Sequence, residues 1–142
     1  MLFTCQLRVD APIVDSTAGK FYVFLGNDGN GNSAVIQFST TVGEATGDFT
    51  WHTCGTESTI GTASTTGVTL FTGAFDNVYF GSSSGSSPSG NLYVCGNTSA
   101  DATLYQVRIT SNAIAASATR VLALSTANTT CSPVTEVFSA ET

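Results

Sequence analysis

One hairpin is written twice in this chain. The segment Gly19 to Phe38, GKFYVFLGNDGNGNSAVIQF, lays over Gly90 to Val107, GNLYVCGNTSADATLYQV, with Gly19 on Gly90, Phe21 on Leu92, Tyr22 on Tyr93, Val23 on Val94, Gly26 on Gly96, Asn27 on Asn97, Val35 on Leu104, Ile36 on Tyr105 and Gln37 on Gln106. Each copy is a pair of runs rich in β-branched and aromatic residues around a polar segment with turn chemistry, which is the pattern of a β-hairpin. The repeat fixes architecture. It does not name a reaction.

The openings Ala11-Pro12-Ile13-Val14-Asp15, Ala74-Phe75-Asp76-Asn77-Val78 and Ser132-Pro133-Val134-Thr135-Glu136 extend the repeat to two units, about 11–73 and 74–131, and the start of a third at 132–142. All lie in one all-β domain. Strands are expected near 12–15, 21–25, 34–39 and 68–72 in the first unit, and near 75–80, 91–95, 103–109 and 119–124 in the second, with 134–138 beginning the next. The Thr/Gly-rich stretch Thr40 to Gly67 reads as an excursion and Gly81 to Gly90, GSSSGSSPSG, as a loop, since Gly and Ser supply no packed face. No window holds an apolar stripe at i, i+3, i+4 and i+7 long enough for a helix, and Asn112 to Ala118 is at most one turn.

Charged residues are 10% of the chain, against roughly 25% in an ordinary soluble domain. The deficit is filled by Ser, Thr, Gly and Asn, a composition common among secreted β proteins, so the expected location is extracellular or the cell surface. The net charge is −6, and the only cations are Arg8, Lys20, Arg108 and Arg120. No basic stripe exists for phosphate contacts, which excludes nucleic acid as the expected partner. No apolar run approaches the ~20 residues of a membrane-spanning helix. The opening MLFTCQLRVD lacks a cationic start, a long apolar core and a small-residue cleavage site, so an exported protein would have lost its leader or gained Met1 on a fragment.

Cys5, Cys54, Cys95 and Cys131 are even in number, lack CxxC spacing and have one histidine, His52, for company. Disulfides fit this better than zinc. Three connectivities are open; Cys5–Cys54 with Cys95–Cys131 is preferred because each bridge would staple one repeat.

Four antiparallel strands arranged as a meander make the blade of a β-propeller. AFDNVYF, GNLYVCGN, LYQVRI and CSPVTEVF resemble the repeats of large secreted or cell-surface bacterial β-propeller proteins of mostly unassigned function. The resemblance implies blades and transfers no catalytic residue. Closure takes 4–8 blades, and about two are present. The expectation is therefore antiparallel meander sheets packed as a sandwich or completed by self-association into a ring or larger assembly.

Several constellations are weighed as sites. Gly81-Ser82-Ser83-Ser84-Gly85 matches GxSxG, which in an α/β hydrolase seats the nucleophile, here Ser83, between a strand and a helix. His52 is its only imidazole base, and Asp48, Glu57 or Asp76 would orient it. A Ser/Gly-rich loop produces the same match by chance. Trp51 and His52 are candidate ligand-binding residues, because an indole offers a broad face to a sugar; packing of Trp51 under its own loop is the bland reading. Asp28, Asn30 and Asn32 alternate as in the first half of a calcium loop, but position twelve is Ser39, and a polar hairpin turn explains Asp-Gly and Asn-Gly without a metal. No cofactor other than such a calcium ion is expected. Asp15, Asp76 and Glu136 open the units and could pair as glycosidase carboxylates, or simply end strands. Asn97 and Asn128 head glycosylation acceptor patterns.

The favoured function is a non-catalytic extracellular binding or assembly module, with carbohydrate as a candidate ligand. The alternative is a secreted hydrolase acting on an ester or carbohydrate.

Overall fold

A computed structural model describes residues 10–40, 55–63, 70–82, 87–99, 101–125 and 131–135. The protein is all-β, built from two antiparallel sheets packed face to face. The first sheet has the order β1 (Ile13–Asp15), β2 (Lys20–Leu25), β3 (Asn32–Ser39), β4 (Gly55–Thr62). The second runs β5 (Ala74–Phe75), β6 (Gly90–Thr98), β7 (Asp101–Thr110), β8 (Ala113–Ile114), and β9 (Thr119–Ala123) also pairs with β7. One short helix, α1 (Asn77–Ser82), lies between β5 and β6.

The repeat is visible in the register. Tyr22 faces Gln37 across β2 and β3, and Tyr93 faces Gln106 across β6 and β7. Ile13 pairs with Tyr22 and Ala74 with Tyr93, so the units are equivalent from Ile13 and Ala74 onward, which puts Asp15 level with Asp76. The unit openings are thus two residues closer together than the sequence alignment places them.

The expectations are corrected at four places. The outer strand of the first unit is β4, inside the stretch read as an excursion, while Leu70 to Gly73 carries no strand. Gly, Thr and Ser suffice there because β4 is an edge on which Ser58 and Ile60 alone are buried. The segment 75–80 is the end of a two-residue strand followed by α1. Asp76 ends that strand by accepting the Tyr79 amide at 2.9 Å, an N-cap that starts the helix. The stretch Asn112 to Ala118, read as one helical turn at most, holds β8 instead. Of the strand expected at 134–138, Val134 and Thr135 fall among the described residues; neither is in a strand, although the Val134 amide donates to the Thr72 carbonyl at 3.3 Å.

Strand side chains alternate between faces, and directly opposed residues share one. In the first sheet, Tyr22, Phe24, Val35 and Gln37 point inward. In the second, Leu92, Val94, Tyr105, Val107 and Ile109 do, and Phe75, Ile60, Leu70, Tyr79 and Ile114 join them in the shared core. The sheets approach closely at one end: a Cβ on Gly61 would lie 2.3 Å from the Asn97 carbonyl oxygen. The parallel bridge Thr59–Ser117 ties the edge of β4 to the segment after β8.

Cys95 and Cys131 form a disulfide with Cα atoms 5.5 Å apart. With Ala102, Phe71 and Val134 it builds a second, smaller cluster on the outer side of the second sheet. The Cys5–Cys54 pairing lies outside the described residues.

Candidate functional site

Polar side chains converge where the two sheets meet. The Tyr79 hydroxyl donates to Asp15 Oδ2 at 2.7 Å and lies 3.5 Å from the Tyr22 hydroxyl. Gln37 Nε2 donates to the Tyr22 hydroxyl at 3.0 Å and to the Asn112 carbonyl at 3.1 Å, while its Oε1 accepts the Ile114 amide at 3.4 Å. Asn112 Nδ2 returns a bond to the Ala18 carbonyl at 2.9 Å. The chain of contacts thus runs from a strand end of the first sheet, through α1 and two tyrosines, to the β7–β8 hairpin of the second.

Each member is placed by local sequence. Tyr79 sits on α1, and its ring stacks on Phe75 with centroids 4.0 Å apart. Gly90 makes room for it, since a Cβ there would fall 2.5 Å from the Tyr79 nitrogen. Tyr22 crosses Phe75 edge to face at 5.1 Å. The β7–β8 turn has Ser111 and Asn112 both at positive φ, a conformation in which Asn is well tolerated.

Burial pushes both tyrosine hydroxyls above their ordinary range, and for Tyr79 the bonds to Tyr22 and Asp15 push further the same way. Both therefore hold their protons at neutral pH. They are hydrogen-bonding groups, not bases, and the network fastens sheet to sheet.

The acidic residues read from the sequence are engaged in the same manner. Asp15 Oδ1 accepts the Ala18 amide at 2.9 Å, while Oδ2 takes the Tyr79 hydroxyl. Asp76 Oδ1 accepts the Tyr79 and Asn91 amides, and its Oδ2 accepts Asn91 Nδ2 at 2.6 Å. Both acids cap the turn that follows their strand. Glu136 lies outside the described residues.

Asp28, Asn30 and Asn32 share the β2–β3 turn. Asp28 Oδ1 accepts the Asn30 and Asn32 amides at 2.7 and 3.0 Å, and Oδ2 accepts Asn32 Nδ2 at 3.1 Å. Burial raises the Asp28 pKa, but the bonds from Asn32 and Asn30, with a contribution from Glu57, outweigh it and hold the carboxyl below the usual value. Gly29 and Gly31 supply the positive φ that the turn requires. This is a self-satisfied polar turn, and no group of three metal-ligating side chains occurs among the described residues.

The GSSSG run is entered from α1, not from a strand, the reverse of the order a nucleophile elbow needs. Ser82 Oγ accepts the Ser89 amide at 2.9 Å and closes the loop. Ser83, His52 and Trp51 lie outside the described residues, as does Asp48.

Sequence reasoning missed the inter-sheet network. Its one readable signal was the repeated Tyr–Gln pairing, half of which the network uses. No helix among the described residues is long and apolar enough to cross a membrane. No protein-family model matches the chain, and no curated protein or solved structure matches it.

Proposed function

We propose that this chain is an extracellular, non-catalytic assembly module made of propeller-like repeats, which works by stacking sheets and leaves binding to its irregular segments. The observation that carries the reading is the relative orientation of the two copies. Tyr22 and Gln37 face the neighbouring sheet, whereas their counterparts Tyr93 and Gln106 face away from it. Sheets related by a two-fold axis would bury the same residues in both copies. Sheets stacked in one direction bury opposite faces, and such a stack has no built-in end.

The chemistry of the described residues favours the same reading. Asp15, Asp76 and Asp28 all have both oxygens occupied by donors from turns, α1 and β6, and the buried tyrosines are held neutral. The disulfide and the low charge agree with an oxidising compartment.

Light scattering after size exclusion, in non-reducing buffer and over a wide concentration range, tests this reading together with panels of ester and polysaccharide substrates. Association without turnover is expected. Turnover abolished by Ser83→Ala or His52→Ala, or a single-chain mass at every concentration, would contradict it.

A further inference from the structure

Gln37 divides its side chain between two sets of partners: Tyr22 in its own sheet, and the backbone of the β7–β8 hairpin in the next. The second set comprises the Asn112 carbonyl and the Ile114 amide. Gln106 repeats the first half of this device. Its Nε2 donates to the Tyr93 hydroxyl at 3.0 Å, and among the described residues its Oε1 and second N–H meet no partner. On the face that carries it, Cys95 and Ala102 are buried beneath the disulfide cluster, whereas Tyr93, Leu104 and Gln106 are only half-buried.

The complementary face is present too. Within the chain, the Tyr22 side of the first sheet packs on Leu92, Val94 and Val107 of the second. Their register counterparts in the first sheet are Phe21, Val23 and Phe38, on its outer side, where Phe21 stacks on Phe38 at 4.8 Å. Leu25, Ala34 and Ile36 on that side are already covered within the chain, and Phe21, Val23 and Phe38, which are only half-buried, are what it leaves for a partner.

We propose that the outer face of the second sheet, centred on Tyr93 and Gln106, docks a second copy of this chain through the Phe21, Val23 and Phe38 face of that copy's first sheet. The occupant follows from the internal interface, which already joins one Tyr–Gln face to one apolar face of the same derivation. The contact is heterologous, so copies add head to tail and form a ring if the rotation closes and a filament if it does not. This rests on the assembly reading above and gives it a surface and a direction.

A complementation experiment tests it. Gln106→Lys blocks one face and Phe21→Asp the other, with Val23→Lys as the replacement if Phe21→Asp fails to give a cooperative thermal transition. By light scattering, the parent is expected to exceed one chain mass, and each variant alone to run as one chain. An equimolar mixture is expected to run as two chains, capped at both ends. A parent that associates while either variant associates equally well would overturn the docking surface and leave assembly standing. Variants that stay single when mixed would overturn the head-to-tail contact. A parent that stays at one chain mass throughout would overturn the assembly reading itself.

Discussion

Gln37 and Gln106 hold the same place in two copies of one hairpin, each donating to a cross-strand tyrosine at 3.0 Å, yet one is sealed between sheets and the other looks outward. A local sequence motif therefore has two fates, decided by which face of its sheet meets the core. Where the motif is buried, the glutamine has recruited the neighbouring backbone. Where it is not, that capacity is left over.

The buried tyrosines make stability sensitive to alkali. Both hydroxyls are raised in the folded state, by burial first and, for Tyr79, by its bonds to Tyr22 and Asp15. Above an unfolded-state pKa of about 10 the unfolded chain loses these protons while the native state keeps them, so stability is intact below that pH and falls above it. Chemical denaturation between neutrality and strong alkali is expected to show this decline, with a shallower slope in Tyr79→Phe. Equal slopes would remove Tyr79 from the account.

Acid acts on the β2–β3 turn. The Asp28 carboxyl is held below 3.8 in the fold, so its contribution is present above that value and is lost as pH falls through the lower, native one. Asp28→Ala leaves the Asn30 and Asn32 amides without their acceptor, at a cost of about 1–3 kcal/mol. Urea titrations at neutral pH and in acid should show the variant's deficit shrinking as the parent's carboxyl protonates. A constant deficit would mean that ionisation of Asp28 is irrelevant to the turn.

Two glycines should respond to alanine with opposite signs. At Gly61 a new Cβ meets the Asn97 carbonyl at 2.3 Å and the Tyr105 hydroxyl at 2.9 Å, forcing the sheets apart and costing about 1–3 kcal/mol. At Gly81, in α1, nothing lies within 4 Å, and alanine is expected to stabilise by up to about 1 kcal/mol. Thermal melts of the two variants check this. A Gly61→Ala protein as stable as the parent would contradict the close approach of β4 to β6.

Much of the fold was legible because the hairpin is repeated: aligning the copies placed Tyr22 with Tyr93 and Gln37 with Gln106, as the strand registers do. The Cys95–Cys131 bridge is one of the pair preferred among three open connectivities because each would staple one repeat. The face that turns inward was not legible, since Lys20 to Leu25 carries apolar side chains on both sides and alternation is then silent. β4 was hidden by its Gly, Thr and Ser, which read as loop when an edge strand needs few core residues. Helix α1 is too short for periodicity. Its one signal was Asp76 three residues ahead of Tyr79, the spacing of an N-cap bond to the third helical amide.

The most direct test compares two substitutions of the same residue type. Equilibrium unfolding of Gln37→Ala and Gln106→Ala is measured at a concentration where the parent is a single chain. Gln37→Ala strips the Ile114 amide and Asn112 carbonyl of a buried partner and should cost about 1–3 kcal/mol, whereas Gln106→Ala should stay within about 0.5 kcal/mol of the parent. Equal losses at the two positions would mean that the copies do not present opposite faces to the core.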